Sequence, residues 1–375
     1  MPAHIPSTTP PWTAVGSRAA VPRAPTLEDV ARLAGVSRAL VSLVARQSPK
    51  VSEHSRVRVL AACEELGYRP NLHARNLAAN SSGIIGALVS DLHNPFFAEV
   101  MDGLHSEAAV HGQQVIITSG GREADGERAA LETLLSLRPA GVVMIGPVLD
   151  AASVERASLR AGGTPVVSVT RVLRSHQVDT VTIDEYAGTA LAVAHLVELG
   201  HRRIVHLDGG TGAGAASRRT GYLRAMRAAG LVEHARVVRG AYTENAGWEA
   251  TDRLLRAHSH EPLPTALFAS NDVEAVGALS RLAEAGVAVP EQVSVVGFDD
   301  TAMAASRLIS LTTVHQPKPH MGRLALRTLL ERTQGRTEPV RHVVAPSLVV
   351  RTTSGPVRAA DVVPIPSPIP QESPA

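Results

Sequence analysis

From Ser37 to Arg46 the chain reads SRALVSLVAR, and this run sets hydrogen-bonding side chains at a spacing that could put them on one helical face. With Val41 and Val44 turned inward, Arg38, Ala39, Ser42, Leu43 and Arg46 fall on the outer side of a short helix that Ser37 caps. Guanidiniums, a hydroxyl and a small methyl on one face suit the edges of base pairs and the phosphates beside them. A helical interaction module with a solvated arginine face has the same pattern, and spacing alone leaves both readings open.

The elements around this run are those needed to present it. Thr26 can cap a first helix, with Glu28 and Asp29 in its positive first turn and Val30, Ala31 and Ala34 on its inner face, and Gly35 ends it. Two short helices joined by a glycine-containing turn make a helix-turn-helix. A third helix follows from Ser52, with Val59, Ala62, Cys63 and Leu66 inward and Gly67 closing it. Residues 26–80 carry eight Arg and Lys against five Asp and Glu, more than the +2 of the whole chain. The basic character is therefore concentrated in this small unit.

At 375 residues the chain is too long for one ordinary domain. Hydrophobic residues at 44 % against 19 % charged exclude a wholly disordered chain. A single cysteine, Cys63, excludes an intrachain disulfide, and no apolar run reaches the roughly 18 residues of a membrane span. A cytoplasmic protein without membrane association is expected. Residues 1–25 and 356–375 are proline-rich and read as disordered tails.

From Gly83 onward, β-branched runs alternate with helical patterns: GIIGALVS, QVIITS, GVVMIGP and PVVSVT, then RIVHLDG, ALFAS and VSVVGFDD. This rhythm predicts two doubly wound α/β lobes with a cleft between them, lined by residues that follow the strands. The expected lobes are 83–183 with 312–336, and 184–311 with 337–355.

TLEDVARLAGVS, the later Val51–Ser52 and LGYRPNLHARNLA resemble the headpiece and hinge of the lactose repressor (LacI/GalR) family of bacterial transcription regulators. The resemblance continues through NPFFAEVMDGLHSEAAVHG, HLVELGHRRIVHLDG, PTALFASNDVEAVGAL, VPEQVSVVGFDD and LTTVHQP, over roughly residues 26–355. It implies an all-α helix-turn-helix headpiece at 26–70, a hinge helix and linker at 71–82, and a two-lobed, periplasmic-binding-protein-like effector and dimerisation domain at 83–355.

Carried over residue by residue, it implies DNA contacts at Thr26, Ser37, Arg38, Ala39, Ser42, Leu43, Arg46, Ser52, Tyr68, Asn71, Ala74, Arg75, Leu77 and Ala78. Leu77 takes the position of a leucine that wedges into the minor groove of operator DNA. Leu43 departs from the family's usual arginine and Arg46 from its usual asparagine, so the family's preferred operator does not transfer. Effector contacts are implied at Asp91, Asn94, Phe96, Phe97, Arg171, Asp184, Arg218, Tyr242 and Asp272. Asp184 and Asp272 are equally good helix N-caps, and Glu185 stands where the family more often has asparagine.

The partners implied are double-stranded operator DNA, a small-molecule effector that is most often a sugar, and a second copy of the chain in a homodimer or higher assembly. No other cofactor, metal or catalytic residue is expected. HLDGGTGAGAAS lacks the third glycine of a dinucleotide fingerprint, the sixteen histidines show no metal-ligand spacing, and Asp299 and Asp300 at a strand end point to opposite sides. The main alternative is a two-lobed sugar-binding protein of a transport system, and the alternative effector is nucleobase-like.

Overall fold

The computed structural model describes residues 23, 25–45, 48, 50–68, 83–258 and 262–361. The chain divides between Ser81 and Ser82 into two compact units.

In the first unit, helices α1 (Leu27–Ala34), α2 (Arg38–Ala45) and α3 (Glu53–Leu66) enclose a core of Val30, Ala31, Ala34, Val41, Val44, Val59 and Ala62. Thr26 and Asp29 cap α1 reciprocally: the Thr26 N–H donates to Asp29 Oδ2 at 2.9 Å, and the Asp29 N–H donates to Thr26 Oγ1 at 3.4 Å. Hydrogen bonds from Thr26 hold the Asp29 carboxyl well below the usual carboxylate range. Gly35, at φ 60°, ends α1 in the left-handed conformation that opens the turn to α2. Ser52 accepts from the Ser55 N–H at 3.4 Å and so caps α3.

The second unit holds two six-stranded sheets. The first contains β1 (Ile84–Val89), β2 (Gln114–Ser119), β3 (Gly141–Ile145), β4 (Val166–Val169), β5 (Val178–Ile183) and β11 (Arg341–Val344), all parallel, in the order β11-β5-β4-β3-β1-β2. The second contains β6 (Ile204–Asp208), β7 (Arg236–Arg239), β8 (Ala266–Ala269), β9 (Ser294–Asp299), β10 (Thr312–His315) and β12 (Ser347–Val349), in the order β12-β10-β9-β8-β6-β7, with only β12 antiparallel. The central strands are buried on both faces, as their continuous apolar runs require.

The lobe boundaries differ from those expected. Residues 312–315 pair with β9 in the second sheet, and the chain crosses to the first lobe only after Gln316. It then forms the helix Lys318–Thr333, whose Met321, Ala325, Leu326 and Leu329 join the first lobe's core, adds β11 to β5, and crosses back before β12. The lobes are thus joined three times, after residues 183, 316 and 344.

Fixed structure also runs past the expected tail boundary at 356. The Val357 N–H donates to the Leu199 oxygen at 2.9 Å, His201 Nε2 lies 2.9 Å from the Gly355 oxygen, and a 3₁₀ turn follows at Ala359–Asp361. The unpaired backbone at the end of helix Glu185–Glu198 gives this segment a partner that composition does not reveal.

Candidate DNA interface and effector cavity

On the headpiece, Ser37, Arg38 and Ala39 are exposed at the start of α2, and Ser37 Oγ accepts from the Leu40 N–H at 3.2 Å. Ser42 is half-buried. Leu43 packs against the headpiece core instead of standing outward, so its apolar surface is partly used in folding. Tyr68 packs on the same core, and its N–H donates to the Cys63 oxygen at 2.8 Å. Thr26 and Ser52 are helix caps. Arg46, Asn71, Ala74, Arg75, Leu77 and Ala78 lie outside the described residues.

Between the lobes of the second unit, at the carboxyl ends of both sets of strands, lies a cavity of about 830 Å³ with its mouth included. Asp91, Asn94, Phe96, Phe97, Arg218 and Tyr242 line it, so the structure brings six of the nine expected effector residues together. Asn94 caps the helix Pro95–Val110 by accepting from the Phe96 N–H at 3.0 Å, which fixes both phenylalanines at its first turn. Their rings meet edge to face, with centroids 5.4 Å apart. Across the cavity, the Tyr242 ring lies on the loop Gly209–Gly212, and its hydroxyl donates to the Ala213 oxygen at 2.9 Å. A Cβ at Gly209 or Gly212 would come within 2.2 or 2.3 Å of that ring, so the glycines are what let it lie there.

Three expected residues are elsewhere. Arg171 lines a separate surface groove, and its Nη1 donates to the oxygens of Pro147 at 3.1 Å and Val148 at 2.5 Å, supporting the loop that borders the cavity without entering it. Asp184 is the N-cap of helix Glu185–Glu198, accepting from the Ala187 N–H at 2.9 Å. Asp272 is buried behind the cavity and does not cap its helix. Its carboxylate accepts from the Thr301 N–H at 2.7 Å, Thr301 Oγ1 at 2.9 Å and Thr313 Oγ1 at 2.6 Å. The cap is Asn271, one residue earlier, which accepts from the Glu274 N–H at 2.9 Å and lines the cavity.

Ser90, Arg122, Thr170, Asn271, Asp299 and Gln316 also line the cavity and were not expected there. Asn271, Asp299 and Gln316 stand at the ends of β8, β9 and β10, so the strand-end rule already contained them. Asn271 Nδ2 is buried without a hydrogen-bond partner among the described residues. It is an unpaired donor in a residue that lines the cavity, a group that an acceptor from a ligand would satisfy.

The charges are arranged in pairs. Arg218 is buried, donates through Nε to Glu185 Oε2 at 2.7 Å, and lies 3.7 Å above the Phe298 ring. Asp299 Oδ1 accepts from Gln316 Nε2 at 2.6 Å and is 3.8 Å from Arg218 Nη1. Burial pushes the Asp299 carboxyl up; the Arg218 charge opposes this and Asp272 adds to it. At the mouth, Arg122 pairs with Asp91. As expected, Asp300 faces away from Asp299, bonded to Arg351 Nη2 at 2.6 Å and His315 Nδ1 at 2.8 Å. The cavity therefore offers aromatic faces, carboxyl groups and an amide, the groups that bind a small polar ligand with an apolar face.

Residues 26–71 match the family described as bacterial regulatory proteins, lacI family, and residues 193–354 match the periplasmic binding protein-like domain. The chain is 33 % identical over 307 residues to catabolite control protein A of Priestia megaterium, covering 81 % of this chain and 91 % of that one. It is 34 % identical over 331 residues to the HTH-type transcriptional repressor PurR of Vibrio atlanticus strain LGP32, covering 88 % and 98 %. Among solved structures, it is similar to the lac repressor dimer bound to operator and the anti-inducer ONPF, with a TM-score of 0.77 and 31 % identity over 89 % of this chain and 100 % of that one. The transcriptional regulator CelR–cellobiose complex is similar with a TM-score of 0.65 and 33 % identity, over 88 % and 100 %.

Proposed function

The chain belongs to the lacI family of bacterial regulatory proteins and is a DNA-binding transcriptional regulator, not an enzyme, and from that premise we propose that it is a cytoplasmic, sugar-responsive repressor of carbohydrate-utilisation genes. It binds as a homodimer to a near-palindromic operator, because a two-fold protein matches a two-fold site. Arg38 and Ala39 meet base edges, Ser42 and Arg46 meet bases or phosphates, and Leu77 wedges into the minor groove. No helix among the described residues is long and apolar enough to cross a membrane.

The effector occupies the cavity between Phe96, Phe97 and Tyr242, its hydroxyls shared among Asp91, Asp299, Asn271 and Gln316. The observation that carries this reading is the unpartnered amide of Asn271, a residue lining an aromatic-walled cavity. A ligand that favours one interlobe angle shifts the population of operator-competent molecules by its differential affinity. A nucleobase is the second reading, since the same aromatic faces and amide donor suit a flat heterocycle.

The test is selection of bound duplexes from a random DNA pool at stated salt, followed by thermal-shift screening of cellobiose, monosaccharides and purine bases against the full chain. A palindromic consensus and a sugar that both stabilises the protein and alters its affinity for that consensus support the proposal. Enrichment of no sequence contradicts the repressor reading, and stabilisation by a purine base alone replaces the sugar.

A further inference from the structure

Lys318 is one of two lysines in the chain, and it is 1 % exposed. It sits at the first position of a helix, Lys318–Thr333, where the helix dipole disfavours a cation. Three oxygens hold it there. Nζ donates to the backbone oxygens of Asp299 and, at 2.6 Å, Asp300, and it lies 3.3 Å from Glu99 Oε2.

The two contacts to backbone oxygens join the lobes, while the Glu99 contact lies within the first. Glu99 belongs to the first lobe, on helix Pro95–Val110, whose first turn carries Phe96 and Phe97 into the cavity. Asp299 ends β9 in the second lobe and Asp300 follows it, and both are non-glycine residues with positive φ, at 118° and 52°. Such backbone is strained and persists only where its surroundings hold it. Glu99 Oε1 adds another tie, accepting from the Ala302 N–H at 2.9 Å. The turn that aims the Asp299 carboxyl at the cavity is therefore held from the opposite lobe.

We propose that Glu99 and Lys318 form an interlobe clasp, acting as positioning residues that seat the Asp299–Asp300 turn and couple the cavity to the angle between the lobes. The coupling rests on the reading of the chain as a ligand-responsive regulator, whereas the clasp stands on its contacts. A ligand that draws on Asp299 pulls on the Lys318 ammonium and on the helix that Glu99 occupies. The lobes then respond together.

The experiment compares the full chain with Glu99→Ala, Glu99→Gln and Lys318→Met. Backbone hydrogen exchange is followed by mass spectrometry, together with the ratio of specific to non-specific affinity for the duplex enriched by selection. Glu99 is part-exposed, so its variants fold even where Lys318→Met does not. Glu99→Ala is expected to raise exchange at 299–302 at least tenfold, to leave strands 84–89 and 204–208 unchanged, and to shift the affinity ratio at least fivefold. Glu99→Gln, which keeps an acceptor for Ala302, gives intermediate values.

Unchanged exchange at 299–302, or a rise spread equally over both sheets, overturns the clasp. Changed exchange with an unchanged affinity ratio overturns the coupling and leaves a local brace. If selection enriches no duplex, the regulator reading fails and takes the coupling with it, while exchange still decides the clasp.

Discussion

Arg122, which follows the last residues of β2 in the first lobe, donates to the backbone oxygen of Tyr242 in the second lobe at 2.9 Å. The same guanidinium pairs with Asp91, so one side chain spans the mouth of the cavity and ties both rims.

Arg122→Ala removes that tie at little cost in stability, within about 0.5 kcal/mol, because its guanidinium is partly exposed and screened. The expected effect is on shape: small-angle scattering of the unliganded variant gives a larger radius of gyration than the parent chain. Superimposable curves would mean that the mouth is held by other contacts.

Arg218 behaves differently because it is buried with Glu185. Arg218→Met leaves a buried carboxylate without its partner and is expected to cost about 3–5 kcal/mol in denaturant unfolding. Adding Glu185→Gln should recover more than half of that loss. A double variant as unstable as the single one would show that stacking on Phe298, not the ion pair, carries the energy.

Two buried groups tilt stability with pH in opposite senses. The raised Asp299 carboxyl means that the folded chain keeps a proton which the unfolded chain releases above about pH 4. Stability is therefore lost progressively as pH rises from about 4 into the neutral range. His206 is fully buried, with Nδ1 2.9 Å from the Phe268 oxygen, and burial pushes it down to about 4. Its contribution is complete above pH 6.5 and is lost as pH falls from there towards 4. Asp299→Asn should remove that loss, raising Tm at pH 9 by roughly 2–4 °C for about 1 kcal/mol, while the His206 step between about pH 4 and 6.5 remains. Parallel profiles for parent and variant would contradict the assignment.

Arg38→Ala should weaken binding at one operator position by about 1–3 kcal/mol and relax selectivity there. Repeating the duplex selection with the variant checks this. A uniform loss across all positions would make Arg38 a phosphate contact.

What the sequence reveals here is what neighbouring residues decide. Thr26, Gly35, Ser52 and Gly67 act on the backbone beside them, so the three headpiece helices are readable to within a residue or two. The central strands announce themselves by burial on both faces. Edge strands do not: β7 is only Arg236–Arg239, half exposed, and its two valines make no pattern. The crossing after Gln316 depends on pairing with β9, which is distant in sequence.

The cavity divides along the same line. Asp91, Asn94, Arg218 and Tyr242 could be placed from strand ends and resemblance together. Asn271 and Asp272 are adjacent, and only three-dimensional packing decides that Asn271 lines the cavity while the carboxylate turns to Thr301 and Thr313.

The three crossings between the lobes also limit how such a chain can be divided or recombined. Neither lobe is a continuous stretch of sequence, so no single splice point exchanges one ligand-binding half for that of a relative. A stop codon near residue 337 would remove an edge strand from each sheet at once. Late truncations should therefore abolish both halves together, and viable chimeras need three junctions placed at the crossings.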